Sequence, residues 1–511
     1  MLSSLFGKKS DHPMAEIKSA QALLDDLPKN DAHKSLMEIN EWIESVSAHA
    51  DFNLDHQFAV LRLLDETAQP YARKLTRDYF VPHELALFQE TRLWLVLGNF
   101  YRHLANAYCA LFDRYCNGDK GDAAIRPHIP LIAGRAIGAM IGQLKYICVH
   151  YGVVDSSIVL NLARLYRHAE QQAYLDAPLT LYQGLPGNTS VKFEAAHLLG
   201  WYGCGVGGLS ALHIHFTERI IGQYCQYTDI AAQQDASCLF SFDLNHPAAP
   251  ARAKLPNAGD VVPPSMRFIC MMGMLPKLQA LLKALEKGIV PEELNLGGAY
   301  DAALVLEAVQ HLLGYITSPP VRRSLRRNIR INMNVVSGFD RLVERTDAGL
   351  NRDAELPAYW EIQEVSAVGF STILPEQGAG GIRIGSLIGI QPEGMPHWGA
   401  AIVRRLMRDE AKLLHMGAEI LASRIDGVSL SQSGGGGFEN MPLALWLYAR
   451  QDEPADEIRL LMKAGTYTAQ RSFQARLNGK NYLLIPFGLQ EKGADYDLAI
   501  FRVIEQEAVS E

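Results

Sequence analysis

From the N terminus to about residue 318, apolar residues recur three and four positions apart, as in Leu85, Leu87, Leu93, Leu97, Phe100, Leu104, Tyr108 and Leu111. An α-helix turns once every ~3.6 residues, so this spacing gathers them along one side of a helix. The pattern predicts helices over 15–27, 32–48, 55–79, 83–117, 127–153, 155–172, 207–226, 265–287 and 300–316. Loops are expected where turn residues collect, at Gly184-Leu185-Pro186-Gly187-Asn188 and along the proline-rich stretch from Asn245 to Pro264. The expectation for 1–318 is therefore an all-α region, a bundle or irregular solenoid, with a break near 227–264 as a candidate division into two subdomains.

At Pro319-Pro320 the period changes. The two prolines end the preceding helix and favour an extended chain. Beyond them Ile329, Ile331, Met333 and Val335 alternate with Arg330, Asn332 and Asn334, the period of a strand with one buried face. Further short runs at Glu361–Ile373, Gly381–Gln391, Gly399–Met407 and Met416–Ala422, each bounded by glycine, proline or polar residues, predict a small antiparallel barrel over 319–424. The glycine run Gly434–Gly437 reads as a connection, since no Gly-Lys-Ser/Thr follows it. Near the end Asn478-Gly479 separates two alternating runs, a strong hairpin signal because both residues tolerate positive φ. A smaller β-rich unit is thus expected within 425–511, and the fold class is multidomain α+β.

Length and composition agree with several cores. At about 150 residues per domain, 511 residues suggest about three, and with 48% hydrophobic and 20% charged residues the chain can bury them. The formal charge of -8 argues against general affinity for nucleic acid, which needs a broadly positive face. The start, Met1 to Lys9, runs into polar sequence, so no secretory leader is expected and the protein is placed in the cytoplasm. Ala195–Phe216 is uncharged, but its three histidines and five glycines point to a buried, glycine-packed helix pair rather than a membrane span.

Candidate chemistry is sparse over most of the chain. The seven cysteines show no Cys-x-x-Cys spacing and are read as reduced, structural thiols. His213-Ile214-His215 would hold one metal ion only on a strand, because alternate residues of a helix point to different sides, and no His-Glu-x-x-His supports it. No nucleophile elbow, phosphate loop or dinucleotide fingerprint occurs. The expectation is a protein that is not an enzyme and has no cofactor or metal.

One cluster stands out. Seven arginines fall between residues 321 and 345, most densely in Arg322-Arg323-Ser324-Leu325-Arg326-Arg327 at the mouth of the first predicted strand, with Glu364-Val365-Ser366-Ala367-Val368-Gly369 further on. Arginine forks grip phosphates and guanine edges through paired hydrogen bonds. In an acidic chain such a local cluster suits a small anionic ligand. This segment resembles the PilZ domain, a bacterial six-stranded barrel that binds the second messenger cyclic di-GMP. Members pair an RxxxR stretch before the first strand with a later [D/N]xSxxG turn. RxxxR fits Arg322 to Arg326 or Arg323 to Arg327, and Ser366 and Gly369 take the Ser and Gly places. Trp398–Leu406 and Met416–Leu421 look like the family's later strands.

The resemblance implies a cyclic di-GMP receptor. In it Arg322, Arg323, Arg326 and Arg327 would clamp the ligand, while the Ser366 hydroxyl and the backbone at Gly369 complete the floor. Glu364 stands where the family carries Asp or Asn, and its extra methylene displaces the carboxylate. A polar insertion at 343–359 lengthens the gap between the motifs. Nucleotide binding would then alter the binding of a protein partner by the helical region. The alternative, favoured by Glu364, is a PilZ-like scaffold that no longer binds nucleotide and serves only protein contacts.

Overall fold

A computed structural model describes residues 11–49, 51–81, 85–184, 188–254, 261–318, 327–346, 356–366, 368–375, 381–432, 443–448, 454 and 456–506. The chain forms two compact units, Met1–Val206 with Ala211–Pro320, and Gly207–Ser210 with Val321–Glu511. The first unit holds helices α1 (Ile17–Asp25), α2 (Ala32–Ala48), α3 (Leu54–Tyr79), α4 (Leu87–Cys116), α5 (Asp122–Ile125), α6 (Ile129–Cys148), α7 (Ser156–Gln171), α8 (Val191–Gly203), α9 (Ala211–Tyr224), α10 (Leu275–Leu285) and α11 (Ala302–Thr317). Several starts are fixed by side chains that accept an otherwise unpaired backbone N–H. Asp31 accepts from Lys34, Asp155 from Ser157, Ser190 from Phe193 and Asp301 from Ala303.

Helix α6 is the centre of this unit. It is buried along almost its whole length, Arg135, Gln143 and Lys145 included, and packs against α4, α7, α8 and α9. Its close approach to α4 requires Gly142, where a Cβ would lie 2.3 Å from the Tyr101 ring.

The helical reading of 1–318 needs one correction. The chain is helical to about Tyr227, but a four-stranded antiparallel sheet follows, made of β1 (Asp229–Ala231), β2 (Cys238–Asp243), β3 (Ala251–Arg252) and β4 (Met266–Cys270), in the order β1-β4-β2-β3. The helix expected over 265–287 is therefore a strand first and a helix only from Leu275. Four consecutive buried residues of β4, Arg267 to Cys270, explain the misreading: a short continuous buried run does not reveal its period. The sheet also sets Cys238 directly opposite Cys270, where they form a disulfide, so these two are not the separate thiols expected. Cys109, Cys148, Cys204 and Cys225 are free and buried, and Cys116 is free and exposed.

The second unit is two closed six-stranded barrels. The first comprises β5 (Arg327–Ser337), β6 (Ala358–Ser366), β7 (Gly369–Ile373), β8 (Leu387–Pro392), β9 (Gly399–Arg408) and β10 (Leu414–Ala422), closing in the order β10-β7-β6-β5-β8-β9. The second comprises β11 (Ile425–Gln432), β12 (Leu443–Leu447), β13 (Glu457–Lys463), β14 (Phe473–Leu477), β15 (Lys480–Lys492) and β16 (Tyr496–Gln506), in the order β11-β12-β13-β16-β15-β14. The expected hairpin is present: Asn478 and Gly479 both have positive φ, 51° and 81°, and join β14 to β15. What the sequence suggested was a smaller β-rich unit is a complete barrel.

Helix α12 (Phe339–Thr346) joins the two barrels. Its Phe339, Leu342 and Val343 share one apolar cluster with Leu387 and Ile402 of the first barrel and Leu445 and Leu498 of the second. Asp495 of the second barrel accepts from the Phe339 N–H at 2.6 Å. Arg404 on β9 forms a paired bridge to Glu491 on β15, at 2.7 and 2.6 Å, and also donates to Glu419 at 2.9 Å. Paired Arg–carboxylate geometry of this kind fixes orientation as well as adding energy.

Candidate functional site

Strand β5 begins outside the first barrel's core. Met333 and Val335 are 5% and 1% exposed, whereas Ile329 is 39% exposed and Arg327 to Arg330 are all at the surface. The hydrophobic alternation seen in sequence thus buries only its later half. The exposed half pairs with the end of β6, Arg327 opposite Val365 and Asn328 opposite Glu364. Register shifts lie between Asn328 and Ile331 on β5 and between Ile362 and Glu364 on β6. Such bulges re-aim side chains at sheet ends. Beside them an open pocket of about 520 Å³ is lined by Asn328, Ile329, Arg330, Gln363 and Glu364.

The Ser-x-x-Gly element closes the hairpin between β6 and β7. Ser366 pairs with Gly369 across the turn, and its hydroxyl donates to the Gly369 carbonyl at 3.1 Å. Glu364, half-buried, accepts from the Ser371 hydroxyl at 3.2 Å. Gly369 is demanded by the fold, because a Cβ there would lie 2.3 Å from the Ala418 carbonyl of β10. Opposite residues of paired strands share a face and neighbours alternate, so Glu364 and Ser366 lie with Asn328 while Arg327 lies with Val365 on the other face. Arg322, Arg323 and Arg326 fall outside the described residues, as does most of the 343–359 insertion beyond α12.

A second place was not signalled by the sequence. Within the helical unit a cavity of about 620 Å³ opens between α3, α4, α6, α8 and α9. Two buried polar networks reach it. In one, Asp65 accepts from Tyr108 at 2.7 Å, Gln69 at 2.7 Å, Arg135 at 3.1 Å and Tyr182 at 3.1 Å, while Arg135 also donates to Glu66 at 2.7 Å. In the other, Lys145 donates to Glu218 at 2.8 Å and its Nζ lies 2.6 Å from His215 Nδ1. His215 Nε2 lies 2.8 Å from the Leu296 carbonyl, which can only accept. That ring nitrogen therefore carries the proton, and the bare Nδ1 accepts from Lys145.

The electrostatics follow from this arrangement. Burial, then the neighbouring Lys145 ammonium, hold His215 well below its usual range, consistent with a neutral ring stacked on Phe80 at 4.2 Å. Burial pushes Glu218 up, but Lys145 and His197 outweigh it and hold the carboxyl well below the usual carboxylate range. Burial also pushes Tyr101, on the cavity wall, up to about 12. His213 turns away from His215, its Nε2 3.1 Å from Glu307, so the His-x-His pair is divided as its place on α9 requires. Among the described residues the one group with metal-ligand spacing is Asp235, Cys238 and Cys270, whose two sulfurs form the disulfide.

With these two places defined, the chain can be set beside known proteins. Residues 18–234 match the family model described as cyclic-di-GMP receptor FimW, N-terminal domain. The match lies before the barrels and takes in the cavity walls on α3, α4, α6, α8 and α9, but not the cavity residues near Leu296. No curated protein and no solved structure matches the chain significantly. No helix among the described residues is long and apolar enough to cross a membrane.

Proposed function

We propose that the chain is a cyclic di-GMP receptor of the cytoplasm in which the first barrel captures the nucleotide and thereby changes the protein contacts of the helical unit. The observation that carries this reading is register. Arg327, the last residue of the dense run Arg322–Arg327, sits opposite Val365, one position from Ser366 and from Glu364. Arg327 and the Glu364–Ser366 segment, far apart in sequence, are thus neighbours at one exposed strand end. The similarity of residues 18–234 to a domain of a cyclic di-GMP receptor supports the same class of function from the other unit. A guanine edge offers two acceptors to an arginine fork, and a second guanidinium can stack on the base, so the ligand would be held by Arg322, Arg323 and Arg326 over a floor of Glu364, Ser366 and Gly369, with Arg327 reaching it from the other face of the strand pair. For a switch to operate, the nucleotide must favour one arrangement of the arginine segment over another.

A second reading, a nucleotide-free scaffold, is favoured by specific contacts. The Ser366 hydroxyl is engaged with Gly369 and Glu364 with Ser371, so both polar groups of the floor already have partners. Calorimetric titration of the full chain with cyclic di-GMP separates the readings, run beside Arg322→Ala/Arg326→Ala and Arg323→Ala/Arg327→Ala variants and with GMP as control. Saturable binding lost in either variant supports the receptor. Absence of heat from a folded sample at high ligand concentration leaves the scaffold.

A further inference from the structure

The cavity of the helical unit carries features of a ligand site that the barrel reading does not use. Helix α6 places glycines every fourth residue, at 134, 138 and 142, along one face. Two of them are filled by neighbours: a Cβ at Gly134 would lie 2.9 Å from Leu181, and one at Gly142 would lie 2.3 Å from Tyr101. At Gly138 the nearest atoms would be 3.9 Å away on Glu194 and 4.0 Å away on Leu181. No packed side chain demands a glycine there; the space above it is the cavity. Tyr101, Tyr146 and Tyr182 add aromatic wall.

The charges are divided between floor and rim. Arg135 and Lys145 are buried and neutralised by Asp65, Glu66 and Glu218. On the rim, Arg73, Lys74 and Arg77 project from α3 and are exposed. Among the described residues none of the three has a hydrogen bond or ion-pair partner. Arg73 and Arg77, one helical turn apart, are neighbours on the surface. Three unneutralised cations above an aromatic chamber suit a dianion attached to an uncharged body. A phosphate monoester carries close to two negative charges near neutral pH, whereas a carboxylate carries one. The cavity, at about 620 Å³, lies within the usual ~300–1,000 Å³ of small-molecule sites.

We propose that this cavity is a second ligand site, for a phosphate-bearing small molecule of nucleotide size, with the phosphate on Arg73, Lys74 and Arg77 and the ring system over Gly138. Aromatic walls accept any flat base, because every base has a π-face. The site stands independently of the barrel reading. AMP is the discriminating probe, since adenine lacks the guanine O6 acceptor that an arginine fork at the barrel would engage.

The test is calorimetric titration of the full chain with AMP, adenosine and inorganic phosphate. Saturable AMP binding is expected, with adenosine and phosphate each weaker by about tenfold or more, since each forfeits one half of the contact. Arg73→Ala/Arg77→Ala, both at the surface, should weaken AMP about tenfold or more for the same reason. Gly138→Leu, which replaces a helical glycine by a better helix former, should fill the chamber and abolish binding. Arg323→Ala/Arg327→Ala should leave AMP unchanged. The proposal is overturned if AMP does not bind at millimolar concentration, if Arg73→Ala/Arg77→Ala binds as the parent does, if AMP binds no better than phosphate, or if only the barrel variant loses it.

Discussion

The helical unit and the double barrel place their charged groups in opposite ways. The helical unit takes Asp65, Arg135, Lys145, His215 and Glu218 into its interior, whereas the described buried polar residues of the barrel unit come down to Thr372 and Asp497. Among the described residues of the barrels no arginine is buried: Arg327 and Arg330 are exposed at the open end of β5, and Arg404 is half-buried on its bridge to Glu491. A buried charge survives only with a partner, so the helical unit has accepted a set of mutually dependent contacts at its centre. Exposed arginines such as Arg327 and Arg330 have no such dependence. The difference predicts which substitutions harm folding and which harm only binding.

The largest effect should come from breaking the buried pair. Glu218→Ala leaves the Lys145 ammonium without its carboxylate and should cost about 3–5 kcal/mol in urea denaturation, while Lys145→Met/Glu218→Leu should recover most of that loss. A cost under about 1 kcal/mol for the single variant would show that the pair is not held in a dry interior.

Next comes pH. His215 is held well below its usual range, so below the unfolded value near 6.5 the unfolded chain binds a proton that the folded chain refuses, and stability falls as pH falls. Between pH 7 and pH 5 this should cost the helical unit about 2 kcal/mol, read as faster amide exchange in α6 and α9. His215→Phe should flatten that slope; an unchanged slope would assign the effect to other groups.

In the barrel the sensitive point is backbone. Gly369→Ala forces a Cβ against the Ala418 carbonyl and should destabilise the barrel by about 1–3 kcal/mol, with or without nucleotide. If the variant instead lost ligand affinity at unchanged stability, Gly369 would belong to the ligand contact after all. The smallest effect is expected at the hairpin, where Gly479→Ala at a φ of 81° should cost about 1 kcal/mol by thermal denaturation.

The same division explains what could be read from the sequence. The arginine cluster and the Ser-x-x-Gly turn are each contiguous, and a period of two marked most strands of the first barrel, so their elements were legible before their register was known. Asn478-Gly479 marked its own turn. The division of Glu361–Ile373 into β6 and β7 is marked by the Ser366–Gly369 turn itself. The interior networks were illegible, because Asp65, Tyr108, Arg135 and Tyr182 come from four segments and Lys145 meets His215 and Glu218 only when α6 packs on α9. Neither the glycine face of α6 nor the cations of α3 suggested a cavity, since their meeting is tertiary. The strands at 229–270 were missed because they are short and partly buried on both faces.

The most direct test of the receptor reading is hydrogen exchange of the full chain with and without cyclic di-GMP. The account predicts that the nucleotide slows exchange in 321–330 and 361–371, the segments that carry the two motifs. Exchange that is unchanged in both segments at saturating nucleotide, or slowed only in the helical unit, would contradict it.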